Sequence, residues 1–196
     1  MDNTERVQQW MSDNADKHNP HELNPALWID DFCWIAELCV AISGSRGFAR
    51  VDFETNYMHR VMYVITEVDE TVEAMEESNA PLIGEELADI AIRLLDIIHP
   101  NRGGTWAPRK QKRLPTSSCF REPWSIMGPI TRCVSRAAEC YRKNDKGDSV
   151  LWLEFALQET EAVADLLGYS LFSEIRRKCL KNASRPRFNG KARAEG

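Results

Sequence analysis

The chain has 196 residues, a length that suits one compact domain or two small ones. Its formal net charge of −5 does not favour a nucleic-acid partner. No stretch is apolar and long enough to span a bilayer, and the first residues lack the basic and apolar blocks of a signal peptide. None of the six cysteines forms a Cys-x-x-Cys pair, which favours reduced thiols. We therefore expect a cytoplasmic protein with no membrane or nucleic-acid partner.

Apolar residues recur at helical spacing along nearly the whole chain, which predicts an all-α helical bundle. An N-terminal extension, 1–26, precedes a first long helix from about Leu27 to Ile42. Two further helices, 57–77 and 82–98, flank a short turn and form a predicted antiparallel hairpin. We expect the region 27–98 to hold the functional site.

A basic segment without an apolar period, 99–123, follows this region. Its length is unusual inside a compact domain, so it is either a linker or a lid that closes over phosphate. Helices at about 129–143 and 150–168 form a second predicted hairpin. With a support helix at 171–181, they make up the region 124–183. A basic C-terminal tail covers 184–196.

Two pairs of carboxylates mark the first predicted hairpin. Glu70 and Glu73 share a face of one helix, and Glu86 and Asp89 share a face of the next. Both pairs stand equally far from the centre of the turn, so the four groups converge if the two faces point together. A charged helix face is usually just solvated, but Glu86 lies at the edge of an apolar stripe, where an unpaired carboxylate is costly to bury.

Four converging carboxylates cannot all remain ionised without a cation. An all-oxygen ligand set suits Mg²⁺, with Mn²⁺ as a possible substitute, rather than zinc. A di-iron bundle would need Glu-x-x-His motifs, which the four histidines do not supply. We predict that the metal-binding and catalytic residues are Glu70, Glu73, Glu86 and Asp89. Glu67 and Asp69 are candidates for a second metal or a base.

The segments 69–73 (DETVE) and 85–89 (EELAD) resemble the Glu-Glu-x-x-Glu … Glu-x-x-Asp signature of MazG-like nucleotide pyrophosphohydrolases, in the all-α NTP pyrophosphatase superfamily. The stretch 178–191 (KCLKNASRPRFNGK) is similar to that family's ending, Lys-x-x-x-Asn-x-x-Arg-Pro-x-x-His-Gly-Gly-Lys. Asp69 replaces the first Glu of the signature, and Asn189 replaces the His of the ending.

The resemblance implies hydrolysis of nucleoside triphosphates, NTP or dNTP, between the α- and β-phosphates to a monophosphate and pyrophosphate. Two cations and an amide near a helix end, Lys178, Asn182 and Arg185, would suit the polyphosphate. Arg93 lies on the same side of its helix as Glu86 and Asp89, so it would contact phosphate or form an ion pair with these two carboxylates. The resemblance also implies a homo-oligomer, in the simplest case a dimer. Two non-enzyme alternatives remain, a non-catalytic nucleotide sensor and a helical protein-interaction module.

The second predicted hairpin reads as a degenerate repeat of the first, although any two helical hairpins share general features. Arg136 and Glu139 would then stand where Glu70 and Glu73 stand. Phe155 and Gln158 would replace Glu86 and Asp89. We expect this hairpin to be a scaffold without a metal, with Leu151 and Leu166 buried in its packing.

Overall fold

In a computed structural model of the protein, the described residues are 28–45, 51–102 and 122–183, together with Glu5 and Gln9. Within these residues the chain forms six α-helices and no β-strand, so the all-α prediction is confirmed. The helices are α1 (Trp28–Ser45), α2 (Tyr57–Glu76), α3 (Ala80–Asn101), α4 (Pro123–Arg142), α5 (Lys146–Leu167) and α6 (Leu171–Ala183). Most of the N-terminal extension, the basic segment 103–121 and the tail 184–196 lie outside the described residues.

The helix α3 lies at the centre of the bundle, because α1, α2, α5 and α6 all pack against it. Its apolar side chains are buried on several faces, including Leu87, Ile90, Leu94 and Ile97. Full burial of one such side chain stabilises the fold by about 1.5–3 kcal/mol relative to exposure. None of the described helices is long and apolar enough to cross a bilayer.

The four helices α2 to α5 repeat one pattern of lengths. Helices α2 and α4 have 20 residues each, and α3 and α5 have 22 residues each. Helix α4 begins at 123, which is 66 residues after the start of α2 at 57, and α5 begins at 146, which is 66 residues after the start of α3 at 80. The connections 77–79 and 143–145 both have three residues. In each, a residue with positive φ, Ser78 or Asn144, precedes the residue whose side chain caps the next helix, Asn79 or Asp145. Equivalent helices also pack together, α2 against α4 and α3 against α5. These features support the predicted internal repeat.

The connection between α5 and α6 brings α6 against the beginning of α3. Gly168 ends α5 with φ of 82°, a left-handed conformation that favours glycine. The Tyr169 hydroxyl donates a hydrogen bond to the Ala80 carbonyl at 2.7 Å. A Cβ atom on Gly84 would lie 3.0 Å from Cδ1 of Tyr169, so the absence of a side chain permits this close approach. As a result, the lysines of α6 lie over Glu85 and Asp89, in the second and third turns of α3.

One expectation about the second hairpin is wrong. Leu166 is 58% exposed, and a charge placed there would remain in water. Leu151 is half-buried and packs against the core. Leu166 is the penultimate residue of α5. It follows the buried Ala164 by two residues, so its side chain points to the opposite side of the helix.

A buried hydroxyl pair joins α2, α4 and α5. The Ser149 hydroxyl donates to the Ala137 carbonyl at 2.7 Å, and the Tyr57 hydroxyl lies 2.7 Å from Ser149 Oγ. Because the only hydroxyl proton of Ser149 is donated to the Ala137 carbonyl, the Tyr57 hydroxyl must be the donor to Ser149. Burial raises the pKa of Tyr57 to about 12.

We predict that Ser149→Ala lowers the free energy of unfolding by about 1–3 kcal/mol, because it leaves the buried Tyr57 hydroxyl without an acceptor. Tyr57→Phe should cost about 1 kcal/mol, since Ser149 keeps its bond to Ala137. Adding Tyr57→Phe to Ser149→Ala should recover part of the loss. Urea denaturation of the three variants measures these values, and strictly additive losses would contradict the shared hydrogen bond.

Candidate metal centre

Three carboxylates from α2 and α3 meet between the two helices. Glu67, Glu70 and Glu86 each offer one oxygen, and these oxygens all lie within 4.8 Å of one another. Glu67 and Glu86 are only 7% and 8% exposed, whereas Glu70 is exposed. Oxygens bound to one octahedral Mg²⁺ at about 2.1 Å stand about 3 Å apart when adjacent and about 4 Å apart when opposite. Small side-chain movements would therefore bring the three oxygens to a shared ion.

Two of the four carboxylates predicted as ligands belong to this group. Glu70 and Glu86 are brought together, but Glu73 is exposed on α2 and Asp89 faces a lysine on α6, so neither is part of the group of three. The role of Glu73 and Asp89 as metal ligands stays a prediction. Asp69, the other candidate for a second metal or a base, is exposed on α2.

Glu67 occupies a more central place than the sequence interpretation assigned to it. It lies three residues before Glu70, on the same helix face, and next to the buried Val64 and Val68. Helical periodicity does not separate Glu67 from Glu73, because the two stand at equal angles to either side of Glu70, so no sequence signal singled out Glu67.

The Glu86 carboxylate lacks the partners that a buried charge requires. Its Oε2 atom is buried and has no hydrogen-bond partner among the residues that the structure describes. Burial raises the pKa of Glu86 to about 7, and the negative charges of Asp89, Glu70 and Glu67 add to this rise against the opposing charge of Lys178. Since an ionised carboxylate in this position is costly, the site offers a place for a cation.

An arginine from α3 partly balances Glu67. Arg93 Nε donates to Glu67 Oε1 at 2.9 Å, and the guanidinium carbon lies 5.4 Å from the centre of the Tyr63 ring. Burial raises the pKa of Glu67, and Arg93 opposes this rise. The ion pair of Arg93 is thus with Glu67 of α2 and not with Glu86 or Asp89, the partners expected from the sequence, and contact of Arg93 with phosphate stays a prediction.

The basic face of α6 contacts the opposite side of the acidic cluster. Lys178 Nζ donates to Glu85 Oε1 at 2.6 Å and contacts Asp89 Oδ2 at 2.5 Å. Lys181 Nζ donates to the same oxygen of Glu85 at 2.5 Å. These hydrogen bonds hold the pKa of Glu85 at about 2. Lys178 is only 7% exposed, and its ammonium group is paired with the carboxylates of Glu85 and Asp89.

Asn182 and Arg185 are the other residues of the C-terminal motif that were predicted to contact a substrate, and the structure describes only Asn182. Asn182 follows Lys178 by one helical turn, and its Oδ1 atom is buried without a hydrogen-bond partner. Arg185 lies outside the described residues. Contact of Lys178, Asn182, Arg185 and Arg93 with a substrate stays a prediction.

The second hairpin carries different chemistry at the equivalent positions. The 66-residue offset places Cys133 and Arg136 where Glu67 and Glu70 stand, and Trp152 and Phe155 where Glu86 and Asp89 stand. The register on α5 thus differs by three residues from the predicted one, which paired Phe155 and Gln158 with those carboxylates. The Trp152 and Phe155 rings meet edge to face at 5.4 Å between centroids. In the described part of this hairpin no group of three potential ligands comes together.

Comparison of the chain with protein-family models, with curated proteins and with solved structures gives no match. The resemblance to MazG-like enzymes therefore depends on the motif residues quoted above.

We predict that, in the presence of a chelator, stability falls as the pH rises from about 4.5 to about 7. Glu86 has an ordinary pKa of 4.5 when unfolded and about 7 when folded, so over this interval the unfolded chain releases a proton that the folded protein retains. At pH 8, Glu86→Gln should be more stable than the wild type by about 1–2 kcal/mol, a value reduced from the full shift because solvent screens the site.

Denaturant titrations at pH 5 and pH 8 measure this difference. Adding Mg²⁺ at pH 8 should raise the stability of the wild type and leave Glu86→Gln nearly unchanged, since ion binding to the folded state adds to its stability. An equal response of both proteins to Mg²⁺ would show that Glu86 does not bind the ion.

Proposed function

We propose that the chain hydrolyses nucleoside triphosphates to nucleoside monophosphate and pyrophosphate, with Mg²⁺ bound by Glu67, Glu70 and Glu86. The observation that carries this proposal is the buried, unpartnered Glu86 Oε2 beside two further carboxylates. A group of this kind is stable in its ionised form only when a cation neutralises it.

The ligand set fits Mg²⁺ better than a softer metal. All three groups are carboxylates, and neither an imidazole nor a thiolate belongs to the cluster. When bound, the ion would neutralise phosphate charge and lower the pKa of a bound water, which supplies the nucleophile for hydrolysis. The motif resemblance supports the substrate class and the choice of the bond between the α- and β-phosphates.

The cations around the cluster would bind and orient the phosphates. Arg93 and Lys181 are the more exposed of these cations, with side chains that are 35% and 50% exposed. Arg93 contacts Glu67, and Lys181 contacts Glu85. A guanidinium group suits paired hydrogen bonds to phosphate, and an ammonium group suits a single charged contact. We assign the first phosphate contacts to these two side chains.

The burial of the carboxylates also bears on the two alternatives. A module that binds a basic protein partner would display its acidic groups, whereas Glu67 and Glu86 are buried between helices. A nucleotide sensor would keep the ion and the nucleotide but would not turn the substrate over. Turnover therefore separates the sensor from the enzyme.

The test is a panel of NTPs and dNTPs incubated with the full chain and Mg²⁺, with pyrophosphate and orthophosphate measured separately. We expect pyrophosphate and monophosphate in equal amounts. Glu86→Gln and Glu70→Gln should each lower kcat by about 100-fold or more, because each removes a ligand charge with little change in volume. Glu76→Gln is the matched control, since Glu76 is an exposed carboxylate on the same helix outside the cluster.

Orthophosphate without pyrophosphate would contradict the proposed bond choice, and nucleotide binding without turnover would favour the sensor. Full activity of both Glu86→Gln and Glu70→Gln would refute the site. Glu73→Gln then decides whether Glu73 is a fourth ligand, because it lies one step further along the same face of α2.

A further inference from the structure

The cluster between α2, α3 and α6 has a charge imbalance of a definite size. Its five carboxylates are Glu67, Glu70, Glu85, Glu86 and Asp89. Within the described part of the chain, its three cations are Arg93, Lys178 and Lys181. When all eight groups are ionised, the cluster carries two negative charges in excess, which is the charge that one divalent cation neutralises.

The contacts divide the carboxylates into two sets. Glu85 and Asp89 are held by lysines of α6 at 2.5–2.6 Å. Among the described residues, Glu70 has no such cation, and Glu86 has a buried oxygen without a hydrogen-bond partner. Glu67 contributes one oxygen to Arg93 and lies with the second set. Of the three carboxylates whose oxygens come within reach of a shared ion, one is therefore paired with an arginine and the other two form no ion pair with a described residue.

We propose that Lys178 is a built-in cation that occupies the Glu85 and Asp89 side of the centre, so that the chain binds one divalent cation and not two. The inference depends on the proposed metal site at Glu67, Glu70 and Glu86, and it assigns Lys178 the role of a positioning residue.

The structure gives Lys178 the means to exclude a second ion. Its ammonium group is nearly fully buried and contacts two carboxylates at once. The backbone of α6 is held against α3 by the close approach of Tyr169 to Gly84 and by the hydrogen bond from Tyr169 to Ala80. A second divalent cation would have to displace this ammonium, and it would leave the cluster with more positive than negative charge.

The direct test is the number of Mn²⁺ ions bound by the full chain, measured by electron paramagnetic resonance of the free ion during a titration. We expect one tightly bound Mn²⁺ per chain. We also expect Asp89→Asn to keep one ion with a much smaller loss of affinity than Glu70→Gln, because Asp89 binds Lys178 and not the metal. Two equivalent ions in the wild type, or an equal loss of affinity in both variants, would overturn the inference.

The sharper variant is Lys178→Met, which keeps the length of the side chain and removes its charge. With Asp89 released and Glu85 held by Lys181 alone, the stoichiometry should rise from one Mn²⁺ to two. Lys181→Met is the matched control and should keep one, since Lys178 still holds both carboxylates. A folded Lys178→Met protein that still binds one ion would contradict the proposal. Should that variant not fold, the wild type and Asp89→Asn decide the question.

These outcomes separate the inference from the proposed function. Binding of no Mn²⁺ by the wild type refutes the metal site and both proposals with it. Binding of two ions refutes only the single-cation inference. Binding of one ion by a chain without pyrophosphohydrolase activity supports the inference and refutes the reaction.

Discussion

The repulsion among carboxylates buried between α2 and α3 is the constraint on which the rest of the structure depends. Glu67 and Glu86 are placed between helices where water cannot fully solvate them, and the pKa values of both are raised by burial. Such an arrangement is stable only if neighbouring cations compensate for it. Arg93 supplies one part of this compensation from within α3, and the lysines of α6 supply another.

The position of α6 follows from the same constraint. Its lysines approach Glu85 and Asp89 because the chain reverses at Gly168 and Tyr169 packs on Gly84, which has no side chain to obstruct it. Apolar packing and charge pairing therefore act together at the beginning of α3. Loss of either would leave buried carboxylates with too little counter-charge, so we regard α6 as part of the centre and not as a separate support.

The second hairpin shows how one backbone pattern serves two purposes. Its helices match those of the first hairpin in length and in the chemistry of the turn, yet Trp152 and Phe155 stand where Glu86 and Asp89 stand. An aromatic pair needs no counter-charge, so these two positions of the second hairpin contribute packing without any charge to compensate. In the first hairpin the same positions carry charge, and the added cost is compensated from α3 and α6.

The sequence by itself determined the helices, because the spacing of apolar residues follows the 3.6-residue period and the polar connections interrupt it. It also determined that Glu70 and Glu86 face a common space, since short turns make α2 and α3 neighbours and Glu86 borders the apolar stripe. Two of the three carboxylates of the acidic cluster were thus accessible from residue spacing, whereas the ion pair of Arg93 with Glu67 was not.

Only the tertiary structure decided which further carboxylates join that site. Glu67 and Glu73 stand about 60° to either side of Glu70 on a helix of 3.6 residues per turn, so a modest rotation of α2 selects one of them. That rotation is set by packing against α3 and α4, which helical periodicity does not encode. Likewise, Lys178 meets Glu85 across 93 residues of chain, a contact determined by the turn at Gly168 and the space beside Gly84. The exposure of Leu166 has the same origin, because an apolar residue is buried only where another element covers it.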